Sequence, residues 1–261
     1  MYSSRNHEIV AQTDTGLVRS HNEDSLAVSL QDRLVVIADG MGGYQAGEVA
    51  SKMATDIIVA ETIARIPEQD AEKTEGLMVE ILCTAINIAN RAVWESAQAC
   101  PSHAGMGTTV VAGFFGPNRI TVAHLGDSRL YQLRALQLRR ITKDHSLLQE
   151  QIDSGLLSEQ EAQSSSNKNF VTRALGIDPE VSPEVAEYPI QEGDLYLFCT
   201  DGLTDMVSEP DIALAMSALG NNLGVCAQHL IANANDNGGR DNVSIVLVRV
   251  NRSSYSMSAH Q

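Results

Sequence analysis

The chain has 261 residues, 43% of them hydrophobic, with 33 Asp and Glu against 18 Lys and Arg and a formal net charge of −15. That length and apolar content bury a sizeable core, while the acidity repels phosphate backbones and anionic headgroups, which argues against nucleic acid and membrane surfaces as partners. Cys83, Cys100, Cys199 and Cys226 are widely spaced with no Cys-x-x-Cys pair, "MYSSRNHEIV" lacks a basic segment followed by an apolar one, and no uninterrupted apolar run approaches the ~20 residues of a membrane span, so a cytoplasmic protein with free thiols is expected.

In chain order, "HEIVAQT", "SLAVSL" and "RLVVIAD" are short, β-branched or alternating, and bounded by turn residues, as strands are. Helical periodicity follows in "GEVASKMATDIIVAETIARI" from Gly47 and in "EGLMVEILCTAINIANRAVWESAQA" from Glu75. "TTVVAGFF", "RITVAHLG" and "SRLYQL" read as strands separated by hairpin-sized gaps. A helix is predicted over "LLQEQIDSGLLSEQEAQ" from Leu147, a strand at "DLYLFCT", a helix at "LGVCAQHLIANANDN" from Leu223, and a last strand at "NVSIVLVRV". Strands in succession rather than strict strand–helix alternation favour antiparallel sheets flanked by helices, an α+β arrangement. No repeat or domain-sized linker interrupts the pattern, so one domain is expected over residues 1–250, with a mobile insertion at about 144–170 where "SSSNKN" breaks the periodicity, and a disordered polar tail at 251–261.

Four of these strands end in, or begin beside, an aspartate: Asp39 closes "RLVVIAD", Asp127 follows "RITVAHLG", Asp201 follows "DLYLFCT", and Asp241 precedes "NVSIVLVRV". One Asp-Gly after a strand is an ordinary turn. Four on strands that share a sandwich can converge on one rim, where like charges about 4 Å apart repel by on the order of 4 kcal/mol per pair at an effective dielectric of about 20. Oxygen donors in that number suit Mg²⁺ or Mn²⁺ better than zinc. Gly40, lacking a Cβ, can turn its carbonyl toward an ion held by Asp39. In "GLVRSHNED", Arg19 precedes Glu23 and Asp24; the stretch is either a solvated charged loop or a guanidinium that grips two phosphate oxygens beside acids that order metal-bound water.

The ordered set "RSHNED", "VVIADGMGG", "MGTTVVA", "AHLGDSRLY", "TKDHS", "VTRALG", "CTDGLTD" and "GRDNVSIV" resembles the PPM family of metal-dependent protein serine/threonine phosphatases (type 2C) in its compact bacterial form, from about residue 8 to residue 250. The resemblance implies a β-sandwich of two antiparallel sheets with helices on both outer faces, a four-layer αββα fold, and two Mn²⁺ or Mg²⁺ ions in the cleft between the sheets, with a third, weaker one. By position, Asp39 resembles the carboxylate bridging both metals, the Gly40 carbonyl a ligand of one, and Asp201 and Asp241 ligands of the other. Asp127, with Asp201, resembles the third site, Glu23 and Asp24 the acids around the ligands, and Arg19 the phosphate-binding arginine.

The implied chemistry is hydrolysis of phosphoserine and phosphothreonine in proteins by a metal-activated water, opposing a cytosolic protein kinase. A monomer acting on phosphorylated proteins is expected. A catalytically silent phosphoprotein-binding relative and a phosphoesterase for small molecules are the alternatives. The source of the leaving-group proton stays open. Many relatives carry His where Met41 or Tyr44 stands, which leaves metal-bound water, Tyr44, His21 and His145. The stretch after "KDHS", about Leu147 to Asn169, corresponds to the variable flap beside the active site, where substrate choice is expected.

Overall fold

The computed structural model describes residues 2–3, 7–31, 33–43, 45–67, 71–158, 161 and 170–251, of which 2–3, 71–73 and 75 are described by their backbone alone. The insertion and the tail expected from sequence fall partly outside these residues: Glu159, Gln160 and 162–169 in the first, 252–261 in the second.

Strands β1 (Tyr2–Ser3), β2 (His7–Asp14), β8 (Arg129–Arg134), β9 (Gln137–Arg140), β11 (Leu195–Cys199) and β12 (Val243–Val250) form one sheet in the order β1-β2-β12-β11-β8-β9. The second runs β10-β7-β6-β4-β3, from β3 (Asp24–Ser29), β4 (Leu34–Met41), β6 (Val110–Phe115), β7 (Arg119–Leu125) and β10 (Glu184–Pro189), with the two-residue β5 (Gly107–Thr108) added beside β4. Every pairing in both sheets is antiparallel.

The central strands are apolar over most of their length because both of their faces are buried. Val35, Ile37, Val111, Tyr196, Phe198, Val246 and Val248 meet between the sheets. Their neighbours in the strands point outward by the two-residue pleat. Leu34, Val36, Val110 and Ala112 meet Ala54 and Ile58 of helix α1 (Ala46–Arg65) and Leu82, Ile86 and Ala89 of helix α2 (Ala71–Ala99). Leu195, Leu197, Ile245 and Leu247 meet Ile212 and Met216 of one helix (Glu209–Leu219) and Leu230 and Ile231 of another (Leu223–Asp236). Helix, sheet, sheet and helix are thus stacked around three apolar layers, the α+β sandwich expected. Helix α2 is long and apolar enough over Gly76–Ala99 to cross a membrane by composition alone, but Met78, Leu82, Ala85, Ile86 and Ala89 spend that apolar face on the sheet.

The helix predicted from Leu147 stops at Asp153. Gly155 adopts φ +73°, a left-handed C-terminal turn that suits glycine and ends the helix ten residues before Gln163, where the sequence pattern would have carried it. The helix Glu209–Leu219 was not among those predicted, although Ser208 caps it by accepting from the Asp211 amide at 3.4 Å and Pro210 occupies its first turn. Strand β10 was also missed: it is a sheet edge whose glutamates and closing proline look like loop in sequence.

Candidate metal centre

Antiparallel pairing sets Asp24 opposite Asp39 across β3 and β4. Asp39 sits at the point where β6 leaves β4, so its backbone turns to a threonine pair. Its N–H donates to Thr109 Oγ1 at 3.1 Å, and its carbonyl accepts from Thr109 N at 2.9 Å and Thr108 Oγ1 at 2.8 Å. Thr109 Oγ1 also pairs with Ser128 Oγ at 2.7 Å, which ties Asp39 to the turn carrying Asp127. That turn takes the chain from β7 in one sheet to β8 in the other. Asp201 opens a one-turn helix (Asp201–Thr204) directly after β11. Thr200 beside it donates from Oγ1 to Asp24 Oδ2 at 2.9 Å, joining the two sheets at the site. Asp241 stands just before β12, the strand paired with β11.

Gly40 is forced by a close approach. An added Cβ would fall 2.1 Å from the Gly47 carbonyl oxygen and 2.6 Å from that of Glu23, because the first turn of α1 lies against it. The Gly40 amide donates to the same Glu23 carbonyl at 3.1 Å.

The carboxyls brought together here are far from their ordinary behaviour. Burial, with the charges of Asp24 and Asp201 added, pushes Asp39 well above the carboxylate range. Burial is likewise the first cause for Asp24, raised to about 7, for Asp201, raised to about 6, and for Asp127, raised to about 8; Asp201 acts on both Asp24 and Asp127, and Asp241 on Asp24 and Asp201. Such a group cannot be fully ionised at neutral pH on its own. Arg129, the nearby cation, is occupied: its Nε and Nη2 donate to both oxygens of Asp144 at 2.9 and 2.6 Å. Asp24 Oδ1, Asp201 Oδ1 and Glu23 Oε1 are buried and make no hydrogen bond. Clustered, desolvated carboxyls with oxygens to spare fit a hard divalent cation, Mn²⁺ or Mg²⁺.

Arg19 reaches the same place. Its Nη2 donates to Asp241 Oδ2 at 2.6 Å across the mouth of the site, with 47% of its side chain exposed. Asn242 holds the loop beneath it: Oδ1 accepts from Glu23 N at 2.8 Å, and Nδ2 donates to the carbonyls of Thr15 and His21 at 2.9 and 3.0 Å. The eight residues singled out from sequence, Arg19, Glu23, Asp24, Asp39, Gly40, Asp127, Asp201 and Asp241, therefore share one neighbourhood. Thr108, Thr109, Thr200 and Asn242, which brace them, were assigned no role. Their signal was present, since each adjoins or lies within a quoted motif, but a hydroxyl's partner is invisible without the fold.

The proton-donor candidates separate. Met41 ends β4 opposite Gly107, and its thioether carries no proton. Tyr44 lies outside the described residues. His145 is buried and stacked on His124, ring centroids 4.8 Å apart at 9°, with its Nδ1 accepting from Gly126 N at 3.1 Å. His124, His145 and Glu184 bring potential ligand atoms within 4.8 Å of one another, but stacked parallel rings direct their lone pairs along parallel planes rather than onto one ion. The segment after His145 is closed at its base by Leu147 N donating to Phe170 O at 2.9 Å and Thr172 N to His145 O at 2.8 Å.

The family model described as Protein phosphatase 2C matches residues 18–230. The serine/threonine protein phosphatase PstP of Mycobacterium tuberculosis is 38% identical over 240 residues, 92% of this chain but 44% of that protein, so the chain spans less than half the length of this relative. The serine/threonine phosphatase stp of Listeria monocytogenes is 35% identical over 243 residues, covering 91% of this chain and 93% of the relative. Among solved structures, the catalytic domain of PstP in complex with two manganese ions superposes with a TM-score of 0.82 at 36% identity, over 95% of this chain and 99% of that one. Stp1 from Staphylococcus aureus superposes with a TM-score of 0.84 at 31% identity, over 94% and 95%.

Proposed function

Because the chain belongs to the protein phosphatase 2C family, we propose that it hydrolyses phosphoserine and phosphothreonine monoesters in proteins, using two Mn²⁺ or Mg²⁺ ions held by Asp39, the Gly40 carbonyl, Asp201 and Asp241. Asp127 joins Asp201 at a third, weaker ion. The observation that carries this reading is the meeting of buried carboxyls, raised out of their normal range and left with unpartnered oxygens, at one end of the sandwich. When bound, the ions supply an acidified water and positive charge for the transferring phosphoryl group.

The protein's own side chains do the rest. Glu23 and Asp24 flank the ligands and hold water in place with oxygens that otherwise go unused. Arg19 offers a planar fork to two phosphoryl oxygens. One prong of that fork, Nη2, donates to Asp241 Oδ2, a residue that would hold an ion, so Arg19 is placed at the edge of the site where a bound phosphoryl group would lie. On a chain of net charge −15, the ions and Arg19 are the local reversal of sign that lets a phosphorylated protein approach.

We infer further that this catalytic domain acts as a monomer opposing a cytosolic protein kinase, with the segment after His145 selecting substrates. The four free thiols suit a reducing compartment.

The decisive assay is hydrolysis of a phosphothreonine peptide in millimolar Mn²⁺, in EDTA, and by Asp39→Asn. Activity that needs the metal and falls by several orders of magnitude in the variant, with the circular dichroism retained, is expected. Full turnover in EDTA, or near-wild-type turnover by Asp39→Asn, refutes the reading. Equal or better turnover of nucleotides and sugar phosphates refutes the choice of substrate.

A further inference from the structure

Cleaving a phosphoserine ester leaves the electron pair on a seryl oxygen, a poor leaving group unless it is protonated as the bond breaks. A well-placed acid is worth about 10²–10⁴-fold in rate for such a step. The described histidines differ sharply in what they can reach. His7 is buried against the Phe115 ring and lowered to about 4 by burial and then by Arg33. His124 and His145 are buried in their stack, and His229 is exposed on the outer helix Leu223–Asp236.

His21 stands apart. It lines a groove of about 420 Å³ with Gln45, Ala46, Val49, Ser102 and His103. Ala46 is the first residue of α1, whose next residue, Gly47, packs on Gly40 and Glu23. The groove therefore opens beside the carboxylate cluster. The His21 ring is engaged at Nδ1 with Ser20 Oγ at 3.0 Å, while Nε2 lies 3.4 Å from Glu23 Oε1 without forming a hydrogen bond, and 39% of the side chain is exposed. His103, which also lines the groove, has its Nδ1 engaged with Ser96 Oγ of α2 at 2.9 Å. Among the described residues the side chain of His21 has its hydrogen bond and ion pair with Ser20 and Glu23, not with the ligand aspartates.

We propose that His21 is the catalytic acid that delivers a proton from Nε2 to the seryl or threonyl leaving oxygen of a peptide lying in the groove, an inference that rests on the phosphatase reading above. The water oxygen forms the new bond to phosphorus. The bond from phosphorus to the seryl oxygen breaks with its electron pair left on that oxygen, which takes the Nε2 proton. One water proton stays on the released phosphate and the other passes to solvent, from which the imidazole recovers its own. Glu23 positions the ring, and Ser20 fixes its rotation from the other side.

The test compares two esters with Mn²⁺-loaded enzyme: a phosphoserine peptide, whose leaving oxygen needs a proton, and p-nitrophenyl phosphate, whose nitrophenolate departs without one. In His21→Gln and His21→Asn, the ratio of kcat on the peptide to kcat on the aryl ester is expected to drop by about 10²-fold or more. His229→Gln, exposed on the outer helix Leu223–Asp236 and away from the groove, leaves that ratio where it is. Calorimetric titration with Mn²⁺ reports independently whether the His21 variants keep their ions. Equal losses on both esters, with or without loss of metal, overturn the proposal, since the role of His21 is then structural; so does a ratio that moves as far in His229→Gln. Wild-type protein that binds Mn²⁺ yet hydrolyses neither ester overturns the phosphatase reading itself, an outcome distinct from the other two.

Discussion

Removing the charge of Asp127 tests the electrostatics of the site without any catalytic readout. Burial, then Asp201 and Asp144, push its carboxyl from the ordinary 3.8 to about 8 against the pull of Arg129. At pH 7 and without metal the folded protein keeps this proton while the unfolded chain has lost it. The cost to the fold is roughly 1.36 kcal/mol for each pH unit between 3.8 and 7, about 4 kcal/mol at most because the neighbouring carboxyls also take up protons. Asp127→Asn removes that cost and keeps the shape. Its thermal midpoint in EDTA at pH 7 is expected to exceed that of the wild type by up to on the order of 10 °C. Proton counting sets the direction of the pH dependence. The folded state of metal-free wild type binds more protons than the unfolded state above pH 3.8, so the stability linked to this group is complete below that value, falls as pH rises, and is exhausted once pH passes about 8. Differential scanning calorimetry in EDTA from about pH 5 to about pH 8 follows it. A wild-type midpoint that stays level or climbs over that range, or an Asp127→Asn protein no more stable than wild type in EDTA, refutes the reasoning.

Three further outcomes follow from the geometry. Arg19→Ala raises KM for phosphopeptide with a smaller effect on kcat, read from steady-state kinetics at saturating Mn²⁺; unchanged constants remove Arg19 from the site. Gly40→Ala forces a methyl group to within 2.1 Å of the Gly47 carbonyl oxygen, and destabilisation by about 3 kcal/mol in urea unfolding is expected. Thr109→Val strips the hydroxyl that receives the Asp39 amide and pairs with Ser128, at a cost of about 1–3 kcal/mol, and weakens Mn²⁺ binding by loosening Asp39. The same urea curve, with Mn²⁺ titrated calorimetrically, measures both.

Much of the architecture was legible before folding because its signals are local. A strand buried on both faces, such as "VVI" in β4 or "IVLV" in β12, is a continuous apolar run, and its ends are marked by the residues that turn the chain. Helix α1 was placed to within a residue, since its buried positions recur at helical spacing. The misses occurred where context outweighed pattern. Edge strand β10 carries glutamates because one side of it faces water. The helix after Ser146 ends at a glycine turn that the apolar periodicity runs past.

The sequence by itself determined which chemistry was on offer: four aspartates at strand termini, an arginine among acids, and glycines at the lip of a buried strand. It also left His21, His145, Tyr44 and metal-bound water as open candidates for the same proton. The tertiary structure alone decided that Asp24 faces Asp39, that Thr200 bridges the sheets to Asp24, that Gly40 is glycine because a helix lies against it, and that His145 is shut in a stack while His21 opens on a groove. The physical reason is that periodicity and turn residues act over a few positions along the chain. Desolvation and charge repulsion arise only when the register of strands far apart in sequence brings carboxyls together out of water.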